Sequence, residues 1–164
     1  MSEDYIDETN WQETRIRVRY AETDKMGVVY HANYLIWFEI GRTEYCRARG
    51  FAYRDMEENE DAFLVVAESY CRYKSSAYYD DELIVRTCVT ELRRRSLRFG
   101  YEIVRAETNE VIAEGETMHV ITNSDGRVRS FPESYKQMLL TDINAEAIHF
   151  TEDQELVPTD RAPD

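Results

Sequence analysis

The chain has 164 residues, 43% of them hydrophobic, which is enough for one domain with a real core. Asp and Glu outnumber Lys and Arg by 33 to 20, a formal net charge of −13. A field of that sign excludes nucleic-acid binding by overall electrostatics and leaves any ligand phosphate to find a local basic cluster.

In chain order, residues 1–13 are polar and read as a loose arm. The opening "MSEDYIDETNWQET" is acidic and lacks the apolar stretch of a signal peptide. "RIRVRY", 15–20, alternates Ile16, Val18 and Tyr20 with arginines, the pattern of a half-buried strand. A loop around Gly27 follows. From His31 to Arg49 the period becomes helical, with Tyr34, Phe38, Gly41, Tyr45 and Ala48 at steps of four and three. Leu35, Trp37 and Ile40 widen the apolar surface beyond one stripe, so the helix is expected to be buried. Asn33 is placed to cap its start and Gly50 to mark its end.

Residues 51–61 form a charged connection with room for a helical turn. Strands are expected over 62–73, 81–92, 96–106 and 110–122, with "ETNE" and "NSDGR" as hairpin-type turns. "FPESYKQMLL" reads as a short helix with Pro132 near its first turn. After Thr141 the chain becomes an acidic, proline-dotted tail. No run approaches the roughly 18 apolar residues of a membrane span. Cys46, Cys71 and Cys88 are odd in number and form no C-x-x-C pair. Buried free thiols in a reducing, cytoplasmic setting are expected.

The order strand, long helix, four strands, short helix defines an α+β fold. Consecutive strands with short links make an antiparallel sheet, and a twisted sheet can curl round one apolar helix. One sheet cannot enclose that helix on every side, so a second copy of the chain is the natural lid.

The stretch from Tyr20 to Glu39, "YAETDKMGVVYHANYLIWFE", sets a polar, turn-forming cluster directly before the apolar helix. Tyr20-x-x-Thr-Asp24-x-Met-Gly27-Val-Val-Tyr30-His31-x-Asn33-Tyr34, followed by Trp37-Phe38-Glu39-x-x-Arg42-x-Glu44, resembles the signature of hotdog-fold acyl-CoA thioesterases. The subgroup it resembles is the 4-hydroxybenzoyl-CoA thioesterase-like family, including the Tol-Pal-associated thioesterases. The resemblance covers roughly residues 14–140. It implies a five-stranded antiparallel sheet wrapped around a long central helix, and a homodimer commonly assembled into tetramers, with active sites at the dimer interface. It implies hydrolysis of an acyl-CoA to the free acid and coenzyme A, with no metal and no cofactor.

By the same resemblance Asp24 is the catalytic carboxylate, accompanied by Tyr20 and His31. The backbone N–H near His31 polarises the thioester carbonyl, and Gly27 and Val28 lie against substrate. Arg93, Arg94, Arg95 and Ser96, in "RRRSLRF", resemble a basic strand turn that holds the nucleotide end of coenzyme A. The chemistry fits. A carboxylate can serve as nucleophile or general base. Amides at a helix start lack intrahelical partners and sit at the positive end of the dipole, where an oxyanion is stabilised.

Taken singly, each residue has a plainer reading. Asp24 is then a turn residue before a glycine, His31 a polar helix-start residue, Tyr20 a packing residue, and Arg93–Arg95 a solvated turn. His119 reads as structural and His149 as an inert tail residue. Glu39, Arg42 and Glu44 read as an ion-pair network on the helix. Two other functions compete: dehydration or hydration of a carrier-bound acyl chain on the same fold, and non-catalytic acyl-CoA binding.

Overall fold

A computed structural model describes residues 11–140 and the backbone of residues 149–150. Most of the arm and tail expected at the two ends lies outside the described residues, as does the side chain of His149. The elements are β1 (Gln12–Arg17), α1 (Asn33–Ala48), α2 (Tyr53–Glu60), β2 (Phe63–Tyr73), β3 (Glu82–Leu92), β4 (Ser96–Arg105), β5 (Val111–Thr122), α3 (Glu133–Leu139) and a two-residue β6 (His149–Phe150). The sheet runs β1-β3-β4-β5-β2, with every neighbour on that path antiparallel. β6 adds in parallel beside the end of β3. This is the hotdog arrangement, a sheet wrapped round α1.

The core forms where α1 meets the concave face. Phe38 stacks on Tyr101 with ring centroids 4.3 Å apart, and Tyr45 meets Phe99 edge-on at 5.7 Å. Each such side chain contributes about 1.5–3 kcal/mol on full burial. Two glycines bring the layers together. A Cβ on Gly41 would lie 2.4 Å from Thr87 Oγ1, and one on Gly115 would lie 2.4 Å from the Tyr70 carbonyl oxygen and 2.5 Å from the Phe38 ring. β3 and β4 run through the middle of the sheet, and both are buried along most of their length.

Several local expectations shift. β1 pairs only as far as Arg17, and Tyr20–Glu22 forms a 3₁₀ turn that leaves the sheet. Ala32, not Asn33, is the residue before the first helical turn, because the Asn33 amide donates to the Glu22 carbonyl at 2.8 Å. Trp37 is buried as expected, but Leu35 and Ile40 are exposed on a single chain, together with Ile36. The connection after α1 contains a two-turn helix whose Met56 is buried. Pro132 stands directly before Glu133, next to the first turn of α3 as expected. On α1, Glu44 pairs with Arg47, while the Arg42 charge bears on Tyr101 and His119.

Candidate active site

The loop leaving β1 is shaped by its own polar groups. The Thr23 N–H and hydroxyl both donate to the Tyr20 carbonyl, at 3.1 and 2.7 Å. The Asp24 N–H donates to the Val28 carbonyl at 2.8 Å, and the Gly27 N–H donates to the Asp24 carbonyl at 3.0 Å. Gly27 takes φ +81°, a conformation that favours glycine. Asp24 Oδ1 accepts the Met26 N–H at 2.8 Å. Among the described residues Oδ2 meets no donor. The loop then docks on the β2–β3 connection, where the Val29 N–H donates to the Ala77 carbonyl at 2.9 Å.

Glu22 fastens this loop to α1. Glu22 is 5% exposed. Oε2 accepts the Trp37 indole N–H at 2.8 Å, and Oε1 accepts the Arg19 N–H at 2.8 Å. The Glu22 carbonyl receives the Tyr30 N–H at 2.9 Å as well as the Asn33 amide. A buried carboxylate is tolerable only with such partners. From the other side, the Tyr73 hydroxyl at the end of β2 donates to the His31 carbonyl at 2.8 Å.

These ties frame a groove of about 370 Å³ lined by Asp24, Val28, His31, Tyr34, Tyr73 and Lys74, among others. The Asn33 N–H is taken by the Tyr30 carbonyl at 3.0 Å. The His31 and Ala32 N–H groups meet no backbone carbonyl among the described residues. The groove therefore joins a half-buried carboxylate to a helix start that still has donors. No cluster of His, Cys, Asp and Glu placed to hold a metal ion occurs among the described residues.

Of the expected site residues, the structure brings Asp24, Val28 and His31 into one groove, with Gly27 forming the turn that shapes it. Tyr20 stands apart: it is 77% exposed, and its ring meets Tyr79 edge-on at 5.8 Å. Arg93, Arg94 and Arg95 form the β3–β4 turn, closed by the Arg93 N–H on the Ser96 carbonyl at 2.9 Å. Arg93 pairs with Glu91, Arg94 reaches the Ser130 hydroxyl at 3.2 Å, and Ser96 is buried. The register puts this turn at the far end of the sheet. β3 begins at the groove end, with Glu82 opposite Arg17 and Leu83 opposite Arg105, and runs to Leu92 opposite Leu97. At about 3.3 Å per residue the two ends are roughly 30 Å apart.

A model of the thioesterase-like superfamily matches residues 18–139, which include the loop and the groove. The chain belongs to that superfamily. Its relatives in the superfamily include the putative acyl-CoA thioesterase YneP of Bacillus subtilis, 36% identical over 110 residues, 67% of this chain and 78% of that protein. The acyl-CoA thioester hydrolase YbgC of Escherichia coli O6:H1 is 37% identical over 120 residues, 73% of this chain and 88% of that one. Among solved structures, a DHNA-CoA thioesterase from Staphylococcus aureus superposes with a TM-score of 0.74 at 33% identity, over 78% of this chain and 87% of that one. The 4-hydroxybenzoyl CoA thioesterase from Pseudomonas, at 21% identity and a TM-score of 0.71 over 79% of this chain and 99% of that one, shares the fold.

Two residues that shape this groove carry no signal in the motif. Glu22 lies in an unassigned gap of the motif, and its acidic type beside an apolar helix was the available signal. Tyr73 is the last residue of a strand, and nothing local ties it to His31, 42 positions away.

Proposed function

We propose that this chain hydrolyses acyl-CoA thioesters to the free carboxylic acid and coenzyme A in the reducing cytoplasm, acting as a homodimer that can pair further into a tetramer. The observation that carries the reading is the shared groove, with Asp24 and His31 on its walls and the open N–H groups of His31 and Ala32 at the start of α1. A thioester bound there has its carbonyl carbon exposed to Asp24 and its oxygen to those amides. Asp24 either attacks the carbon, giving an acyl-enzyme anhydride that water then cleaves, or takes a proton from the attacking water. On both routes negative charge gathers on the carbonyl oxygen and the helix-start donors stabilise it. The C–S bond breaks, the coenzyme A thiolate leaves, and solvent returns its proton. The names of the relatives support acyl-CoA as the substrate class, and free Cys46, Cys71 and Cys88 suit a reducing compartment.

The distance between Asp24 and the arginine turn supports dimerisation, since one coenzyme A cannot reach both within a single protomer. β2 is a sheet edge that exposes Val65, Val66 and Tyr70. An uncovered edge of this kind invites a partner strand. Antiparallel pairing of two β2 edges about a two-fold axis would set the far end of one protomer beside the groove of the other. The partner's copy of the arginine turn would then reach coenzyme A phosphates, while Asp24 and the acyl group stay in this protomer.

The test is thiol release from a panel of acyl-CoAs. Asp24→Asn keeps the acceptor for the Met26 N–H but removes the charge and the proton acceptor. Its kcat should fall by roughly 10²–10⁴-fold, with fold and assembly retained. Parental kcat in that variant would return Asp24 to a turn-forming role.

A further inference from the structure

We infer that Tyr73 is a positioning residue: by holding the His31 carbonyl, it fixes the peptide groups at the start of α1 that donate to the reaction's oxyanion. The inference rests on the thioesterase reading above and adds a residue from a different element to its machinery.

The bond is well formed, 2.8 Å from the phenolic oxygen to the carbonyl oxygen. The ring behind it is held in place. It meets Tyr34 edge-on at 5.1 Å and His31 edge-on at 6.5 Å. Tyr34 in turn packs against Trp37 at 4.9 Å, so the aromatic chain runs from the groove into the buried side of α1. Burial, and then Cys71, push the phenol up to about 12, so it stays a donor throughout the range in which a thioester can be assayed.

The acceptor gives the bond its meaning. The His31 carbonyl belongs to the same planar peptide as the Ala32 N–H, and the His31 N–H belongs to the peptide before it. A donor on that carbonyl restrains the plane and polarises its N–H. Oxyanion stabilisation depends on donors that need not reorganise during the reaction. The loop side of the helix start is already held by Glu22 through Asn33 and Trp37. Tyr73 supplies the matching restraint from the strand side. Without it, the His31–Ala32 peptide is held on one side alone.

Tyr73→Phe removes the hydroxyl and leaves the ring contacts in place. Tyr73 is 48% exposed, so the variant is expected to fold as the parent does. Thiol release should show kcat lowered by about 5- to 100-fold, the range a small misplacement costs, with KM within about two-fold. His31→Ala keeps the carbonyl acceptor, so the Tyr73→Phe loss should be the same in a His31→Ala background. A rise in KM with kcat unchanged would make Tyr73 a substrate contact and overturn the inference, as would a Tyr73→Phe effect that vanishes with the His31 imidazole. Amide hydrogen exchange, which needs no substrate, gives an independent reading. Residues 31–35 should exchange faster in Tyr73→Phe than in the parent, and unchanged exchange overturns the tether. Faster exchange with a parent that releases no thiol from any acyl-CoA would sink the thioesterase reading and leave the tether standing.

Discussion

His119 is a histidine kept neutral by its surroundings. It is 1% exposed, its Nε2 lies 2.8 Å from Thr117 Oγ1, and Thr117 in turn bonds the Tyr101 hydroxyl at 2.6 Å. Burial, and then the Arg42 charge, bring its pKa down to about 3. Unfolded, the same side chain titrates near 6.5. Below that value the unfolded chain binds a proton that the folded chain refuses. This contribution to stability is therefore complete above pH 6.5 and is lost progressively as pH falls towards about 3. The slope from one such proton is at most about 1.4 kcal/mol per pH unit. Urea titrations of His119→Gln between pH 7 and 4 should lose that slope relative to the parent. An unchanged pH dependence would show that His119 titrates normally in the fold. Glu22 shows the same economy in a carboxylate: it is buried because Trp37 and Arg19 both donate to it.

At the scale of elements, the closeness of α1 to the sheet is set by Gly41 and Gly115. Gly115→Ala would press a methyl group against the Tyr70 carbonyl and the Phe38 ring, neither of which can turn aside. The expected cost is about 1–3 kcal/mol, read as a lower midpoint in chemical denaturation. A neutral result would mean that the β5–β2 seam relaxes freely. The sequence announced α1 and the four later strands well, because their periods reflect which face is buried. It misplaced the end of β1. The alternation of Ile16, Val18 and Tyr20 continues past Arg17, and Val18 is indeed buried, but the chain must leave the ladder there for Glu22 to reach Trp37. The charged connection gave room for a helical turn but not the length of α2, because Met56 is its one buried side chain. In the site, Asp24 and His31 were legible because they are neighbours in sequence. The hold of Tyr73 on His31 was not, because no local pattern encodes a contact between a strand end and a distant loop. Helix period likewise could not say that Leu35 and Ile40 face outward on a single chain.

At the scale of the whole molecule, the uncovered apolar surfaces among the described residues include the β2 edge with Val65 and Val66, and the α1 strip of Leu35, Ile36 and Ile40. If both serve a homodimer, Val66→Lys should obstruct pairing at the edge while costing the single chain little, since Val66 is 45% exposed. Light scattering at micromolar concentration should show a shift towards monomer, and kcat/KM should fall in step. A variant that is monomeric and fully active would confine the site to one chain. The sheet order carries a further consequence, one of time. β3, β4 and β5 are joined by short turns, but β1 must find β3 across the whole of α1, α2 and β2, so that Arg17 meets Glu82 and Gln12 meets Thr87. Closing so long a loop is entropically expensive and comes after local pairings have made it worthwhile. The loop bearing Asp24 follows β1 directly. A folding chain thus sets the loop of Asp24 among the last of its parts, after the turns that join β3, β4 and β5 have brought those strands together.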